Sequence, residues 1–96
     1  MKILTKDGKD TEGKIFLGRL EAGKTKDYEF ILHNDSPAEV EDLEVVISHN
    51  EVSVLAYPDK LMPQAQGQLK IRWSPTLTLK RGLQTLVKVE GTALYK

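Results

Sequence analysis

The stretch Gly67-Gln-Leu-Lys-Ile-Arg-Trp-Ser-Pro75 decides how the rest of the chain is read. Leu69, Ile71 and Trp73 alternate with Lys70, Arg72 and Ser74, the period of two expected of a strand with one face buried and one in water. Gly67 opens the run, and Pro75, which has no N–H for the next rung of a ladder, closes it. Trp73 is the only tryptophan. It is the largest single block of apolar surface the chain can bury, so the core is expected around it, with Phe30, Val45 and Val87 as neighbours.

Working outward, the same alternation recurs. Met1 to Thr5 reads as a short strand, and Lys14 to Leu20 as a second with apolar residues on both faces. Thr25 to Asn34 buries Tyr28, Phe30 and Leu32, and Glu41 to Ser48 buries Leu43, Val45 and Ile47. Val52, Val54 and Ala56 begin another strand, which stops at Pro58. The run from Leu83 to Tyr95 sets Thr85, Val87, Val89, Gly91 and Ala93 on one face, with Gly91 marking a bulge or bend. Turn formers such as Asn34-Asp-Ser-Pro-Ala38 separate the strands. No segment sustains the i, i+3, i+4, i+7 spacing of a helix, so the fold class is all-β with little or no helix.

Ninety-six residues make one domain, 1–96, with one core and a net stability of about 5–14 kcal/mol. The absence of cysteine excludes disulfides and thiolate zinc sites. The N-terminus lacks the pattern of a signal peptide and no run is long and apolar enough for a membrane helix, so the expected location is the cytoplasm or a virion. Fourteen basic and 14 acidic residues cancel, but unevenly. Residues 1–26 carry seven bases and four acids; residues 27–59 carry nine acids and no Lys or Arg; residues 60–96 carry seven bases and only Glu90. Pairing across strands is the expected outcome. The competing reading is a dipolar surface used in assembly.

The succession Ile15-Phe-Leu-Gly18, Lys26-Asp-Tyr-Glu-Phe-Ile-Leu-His-Asn34, Leu61-Met-Pro-Gln64, Leu69-Lys-Ile-Arg-Trp-Ser-Pro75 and Val89-Glu-Gly91 resembles the immunoglobulin-like domains of the ASH and major-sperm-protein group. In that group a first strand ends in (F/L)G and a second carries F.(L/V).N. A proline loop then precedes a strand ending in (F/W).P, and a late strand ends in glycine. The resemblance spans most of residues 14–92. It implies an immunoglobulin-like β-sandwich of about seven strands with Greek-key connections. Its strand order makes Thr25–Asn34 and Gly67–Pro75 neighbours, which sets Lys70 and Arg72 opposite Asp27 and Glu29 and brings Lys88 near Glu44. Such domains have two strands after the W.P position where this chain has one, Leu83–Tyr95. Either Met1–Thr5 fills the vacancy or an edge stays open.

No stretch carries the pattern of an active site. Asp7, Asp10 and Glu12 lack the spacing of a calcium loop, and His33 and His49 lack the spacing of a metal pair. Ser36, Ser48, Ser53 and Ser74 have no nucleophile-elbow context. Glu39, Glu41, Asp42 and Glu44 read as a solvated face, since paired-carboxylate chemistry needs a cleft. Lys70, Arg72, Lys80, Arg81 and Lys88 have no interleaved aromatics, so nucleic acid is not expected. No catalytic residue, metal or cofactor is assigned.

What remains is surplus apolar surface. Leu77, Leu79, Leu86 and Leu94 are the candidate partner-binding residues, on the premise that they gather near the C-terminal edge. The function expected is a non-catalytic structural or protein-binding module. By analogy of fold and size it is a building block of a larger assembly, a virion component such as a capsid decoration or a tail or neck protein. Its partners would be copies of itself or other virion proteins, with no membrane involved. The alternatives are a small metal-dependent enzyme and a nucleic-acid-binding domain.

Overall fold

The computed structural model of the chain describes residues 1–79 and 81–94, so Lys80 and Tyr95 of the expectations above lie outside the described residues. Seven strands form: β1 (Lys2–Leu4), β2 (Lys14–Gly18), β3 (Lys26–His33), β4 (Glu39–Ile47), β5 (Val52–Ala56), β6 (Gln66–Trp73) and β7 (Leu83–Leu94). No helix occurs among the described residues.

The strands make two sheets, one of four in the order β1-β3-β6-β5 and one of three in the order β2-β7-β4. Every neighbouring pair is antiparallel. The β6 alternation works as its sequence suggests: Leu69, Ile71 and Trp73 are buried, while Arg72 stays in water. Residues of both sheets meet in one cluster that contains Trp73 with Phe30, Val45 and Val87, as well as Ile15, Leu17, Leu32 and Leu83. Burial of Trp73 is nearly complete, at 1% exposure. Among the described residues its indole N–H has no hydrogen-bond partner. Packing in this cluster holds the ring.

The register of β3 on β6 sets Asp27 against Arg72 and Glu29 against Lys70. The Arg72 Nε donates to Asp27 Oδ1 at 2.8 Å, while Glu29 pairs with Lys6 at 3.0 Å. Cross-strand pairing of the acidic and basic blocks therefore operates here. It operates less well on β4, where Val46 rather than Glu44 stands opposite Lys88. Lys88 pairs instead with Glu90 of its own strand, at 2.7 Å.

Gly91 does mark a bulge, which the facing strand carries. The extra residue sits between Glu41 and Glu44, opposite Gly91, where Asp42 adopts φ 53°. Two residues of β4 thus oppose one of β7, the geometry of a β-bulge. Glycine at 91 is required by proximity: a Cβ there would lie 2.6 Å from Val40 Cγ1 and 3.0 Å from Leu43 Cδ2.

The N-terminal strand does not line β7. β1 pairs with β3 at the edge of the four-stranded sheet, because Ile3 is needed in the core opposite Leu32. It is β2 that lies beside β7, and only along Leu83–Leu86. Glu12 and Gly13, both with positive φ, turn the chain from one sheet to the other. The Tyr28 hydroxyl, donating to the Leu17 carbonyl at 2.7 Å, ties β3 to β2 across the gap.

Candidate interaction surface

The polar side chains that might have formed a reactive site are spread apart or already engaged. His33 ends β3, while His49 lies in the β4–β5 turn near the opposite end of the same sheet. Across the seven residue steps from Lys26 to His33 a strand advances roughly 24 Å, so the two imidazoles do not share an ion. Among the described residues no group of three or more His, Cys, Asp or Glu is placed to hold a metal. The His49 Nδ1 accepts from the Glu51 N–H at 3.1 Å. Glu51 in turn accepts from the backbone N–H and hydroxyl of Thr76, at 2.8 and 2.5 Å. Those hydrogen bonds hold its carboxyl below the ordinary glutamate range. The same holds for Asp27, bonded by Arg72, and for Glu29, bonded by Lys6. These carboxylates act as fasteners between loops and strands.

Asn34 is a buried polar residue whose importance sequence reading missed; it is fully buried at the end of β3. Its amide donates to the carbonyls of Ala38, Leu61 and Met62 at 2.8, 3.0 and 3.1 Å. Its carbonyl accepts from the Ser36 N–H and hydroxyl. One side chain thus fastens the β3–β4 turn to the segment before β6. The only sequence signal for it was its place at the end of the F.(L/V).N motif.

The apolar surplus is partly rearranged. Leu79 packs against the core. Leu77 projects from the β6–β7 loop, 71% exposed. Leu86 and Leu94 lie on β7, eight residues or roughly 27 Å apart. The four leucines therefore do not form one patch. Leu86 has other company. It is diagonal to Phe16, whose partner on β7 is Gln84, and to Val46, whose partner is Lys88. Phe16, Leu86 and Val46 are 66%, 55% and 49% exposed. They stand on the outer face of the β2-β7-β4 sheet, one on each strand. Val46 and Leu86 line one open depression with Ser48 and Lys88, while the tip of the Phe16 ring lies toward Gly82 and Lys14 stands directly opposite Leu86.

A second feature lies along the same strand. Odd-numbered residues of β7 direct their backbone groups toward β2, as the 2.8 Å bond from the Val87 N–H to the Gly13 carbonyl shows. Even-numbered ones face β4, where the Leu86 carbonyl accepts from Ser48. β2 begins at Lys14, so beyond Val87 nothing among the described residues pairs with Val89, Gly91 or Ala93 on that side. Gly91, Thr92, Ala93 and Leu94 are all exposed. The far edge of the β4–β7 ribbon is treated differently: Val40 exchanges two backbone bonds with Leu61, and the Leu43 N–H donates to Asp59. One edge of the ribbon is tied down, and among the described residues no strand pairs with the other beyond Val87, where Met1, Lys2 and Ile3 border a pocket shared with Val87, Lys88 and Val89.

No family model, curated protein or solved structure matches the chain, so this outer sheet and its half-open edge are what a functional reading has to build on.

Proposed function

We propose that the chain is a non-catalytic structural or protein-binding module, an immunoglobulin-like domain akin to the ASH and major-sperm-protein group. It serves as a building block of a larger assembly such as a virion shell or tail. The strand orders support the immunoglobulin-like part of this reading. A four-stranded β1-β3-β6-β5 sheet against a three-stranded β2-β7-β4 sheet follows the four-plus-three division of constant-type immunoglobulin domains. On that reading β2 stands in half of the place that a strand following β7 would take.

The observation that carries the binding role is the exposure of Phe16, Leu86 and Val46 on one sheet face. A chain of this size buries its large apolar side chains wherever its core can accept them. Three exposed on the outside of one sheet, two of them lining one depression, are the kind of apolar surface that marks a contact site. The surface is a flat sheet face rather than a cleft, which suits a protein partner better than a small molecule.

The test is the pair of substitutions Phe16→Ser and Leu86→Ser in one chain, expressed together with the proteins it assembles with. The folded double variant should lose its place in the assembly while its unfolding temperature stays close to that of the parent. Undiminished incorporation of a folded double variant would overturn the reading.

A further inference from the structure

We infer that the open half of β7 pairs with the same strand of a second copy, joining two three-stranded sheets across a two-fold axis at Thr92. The inference rests on the reading of the chain as a protein-binding module and names one partner.

Backbone geometry supplies the first argument. Val89, Gly91 and Ala93 each offer an N–H and a C=O to the open side, and an antiparallel copy of the same strand offers the same groups in matching alternation. Native edges are usually blunted by lysine, proline, an inward charge or a covering segment. Along Val89–Leu94 the only charge is Glu90, which is already bonded to Lys88, and there is no proline. A ribbon of two strands is marginal by itself. The Leu61 segment supports its β4 side. The β7 side has no such support among the described residues.

The register follows from what is already in place. Hydrogen-bonded pairs must join odd-numbered residues to odd-numbered ones, because only these face the open side. Among the described residues a centre at Gly91 would set Glu90 against Thr92, whereas a centre at Thr92 sets the two threonines against each other. Gly91 then exchanges hydrogen bonds with Ala93 of the other copy, and Ala93 with its Gly91. On the outer face Thr92 meets Thr92, a favourable cross-strand pair, and Glu90 meets Leu94. The side chains facing inward at the seam are glycine and alanine, so nothing bulky separates the strands.

Sedimentation equilibrium over a concentration series is the first measurement, with a two-chain mass expected at the upper end. Ala93→Pro removes one N–H from the seam. The ladder to β4 survives, since the backbone groups of residue 93 point away from it. The variant should keep the parent's circular dichroism and weaken the dimer at least tenfold. Because the chain has no cysteine, Thr92→Cys tests the register directly. Cα atoms in a non-hydrogen-bonded antiparallel pair lie about 4.5 Å apart, within reach of a disulfide. Oxidised Thr92→Cys should therefore run as a covalent dimer. Glu90→Cys should not, because its own copy lies roughly 13 Å away along the strands. A single-chain mass throughout the series, a dimer indifferent to Ala93→Pro, or equal cross-linking at positions 90 and 92 would each overturn the inference. A monomer that still enters its assembly through Phe16 and Leu86 would remove the inference and leave the proposed function standing.

Discussion

Replacing Asn34 by alanine should loosen the end of the molecule that holds the β3–β4 turn. The side chain makes five hydrogen bonds in a site closed to water. The three carbonyls it serves would each keep another donor: Ala38 has the Ser36 hydroxyl, Leu61 the Val40 N–H and Met62 the Ala65 N–H. The loss is therefore the net worth of several hydrogen bonds plus a small cavity, not the full penalty of orphaned carbonyls. At about 1 kcal/mol per bond, shared partners discounted, the cost comes to about 2–4 kcal/mol. That is a large part of a total near 5–14 kcal/mol for a chain of this length. Urea unfolding followed by tryptophan fluorescence measures it. Asn34→Asp separates hydrogen bonding from cavity formation. It fills the same space but turns a buried carboxylate toward three carbonyl oxygens, so at pH 7 it should be less stable than Asn34→Ala. Burial of that carboxylate raises its folded pKa, so the deficit should shrink as the pH falls and the acid is protonated. An Asn34→Asp protein as stable as the parent at neutral pH would refute this account of the turn.

Trp73→Ala should cost about 3–5 kcal/mol, and the native protein should show the blue-shifted emission of a dry indole; an emission maximum typical of water would refute the core placement. Charge reversal at Glu29 should weaken stability slightly in low salt and have little effect in high salt, since its partner Lys6 is exposed; an effect independent of salt would point to a different role. Asp27, Glu29 and Glu51 are all held below their ordinary pKa values. Each contributes stability that is full above the unfolded pKa and lost as pH falls through the lower folded one. An acid titration should thus show stability declining below about pH 4, and Glu51→Gln should flatten part of that decline. Gly82→Ala should destabilise by more than about 1 kcal/mol, because φ is 79° and the new Cβ would lie 2.7 Å from the Gly18 carbonyl oxygen; a neutral thermal shift would contradict it.

Much of the architecture was written in the alternation of long strands. In β3 and β6, one polar face and one apolar face leave a single sensible orientation, and with the strand order that the resemblance implied the pairing of Asp27 with Arg72 followed. β2 was harder, because Ile15, Phe16 and Leu17 are all apolar and period alone does not choose a face. Only the structure assigns Ile15 and Leu17 to the core and Phe16 to the outside, so the part of Phe16 in the candidate surface was not legible. The level of the bulge was legible at Gly91, but not the strand that carries it. Glycine there answers the close approach of Val40, while Asp42 on the facing strand takes the unusual dihedral. The partner of a short strand is also a long-range matter. Five residues do not carry enough pattern to say that β2, rather than β1, would lie beside β7.

The central place of β7 has a consequence for how the chain reaches its fold. β2 and β4 do not pair with each other; each pairs with β7. During synthesis, Lys14–Gly18 and Glu39–Ile47 are therefore made long before the strand that turns them into a sheet. Until Leu83–Leu94 has emerged, the inner faces of both earlier strands lack their neighbour. Ile15 and Leu17 have no sheet to hold them over the core in that interval. Closure of a pair such as Ile15 with Thr85, seventy positions apart, sets up contacts of high sequence separation, the kind that places folding in the millisecond-to-second range. Unpaired apolar strands waiting that long are exposed to association between nascent chains. A chain cut before β7 should accordingly aggregate rather than settle into a smaller domain.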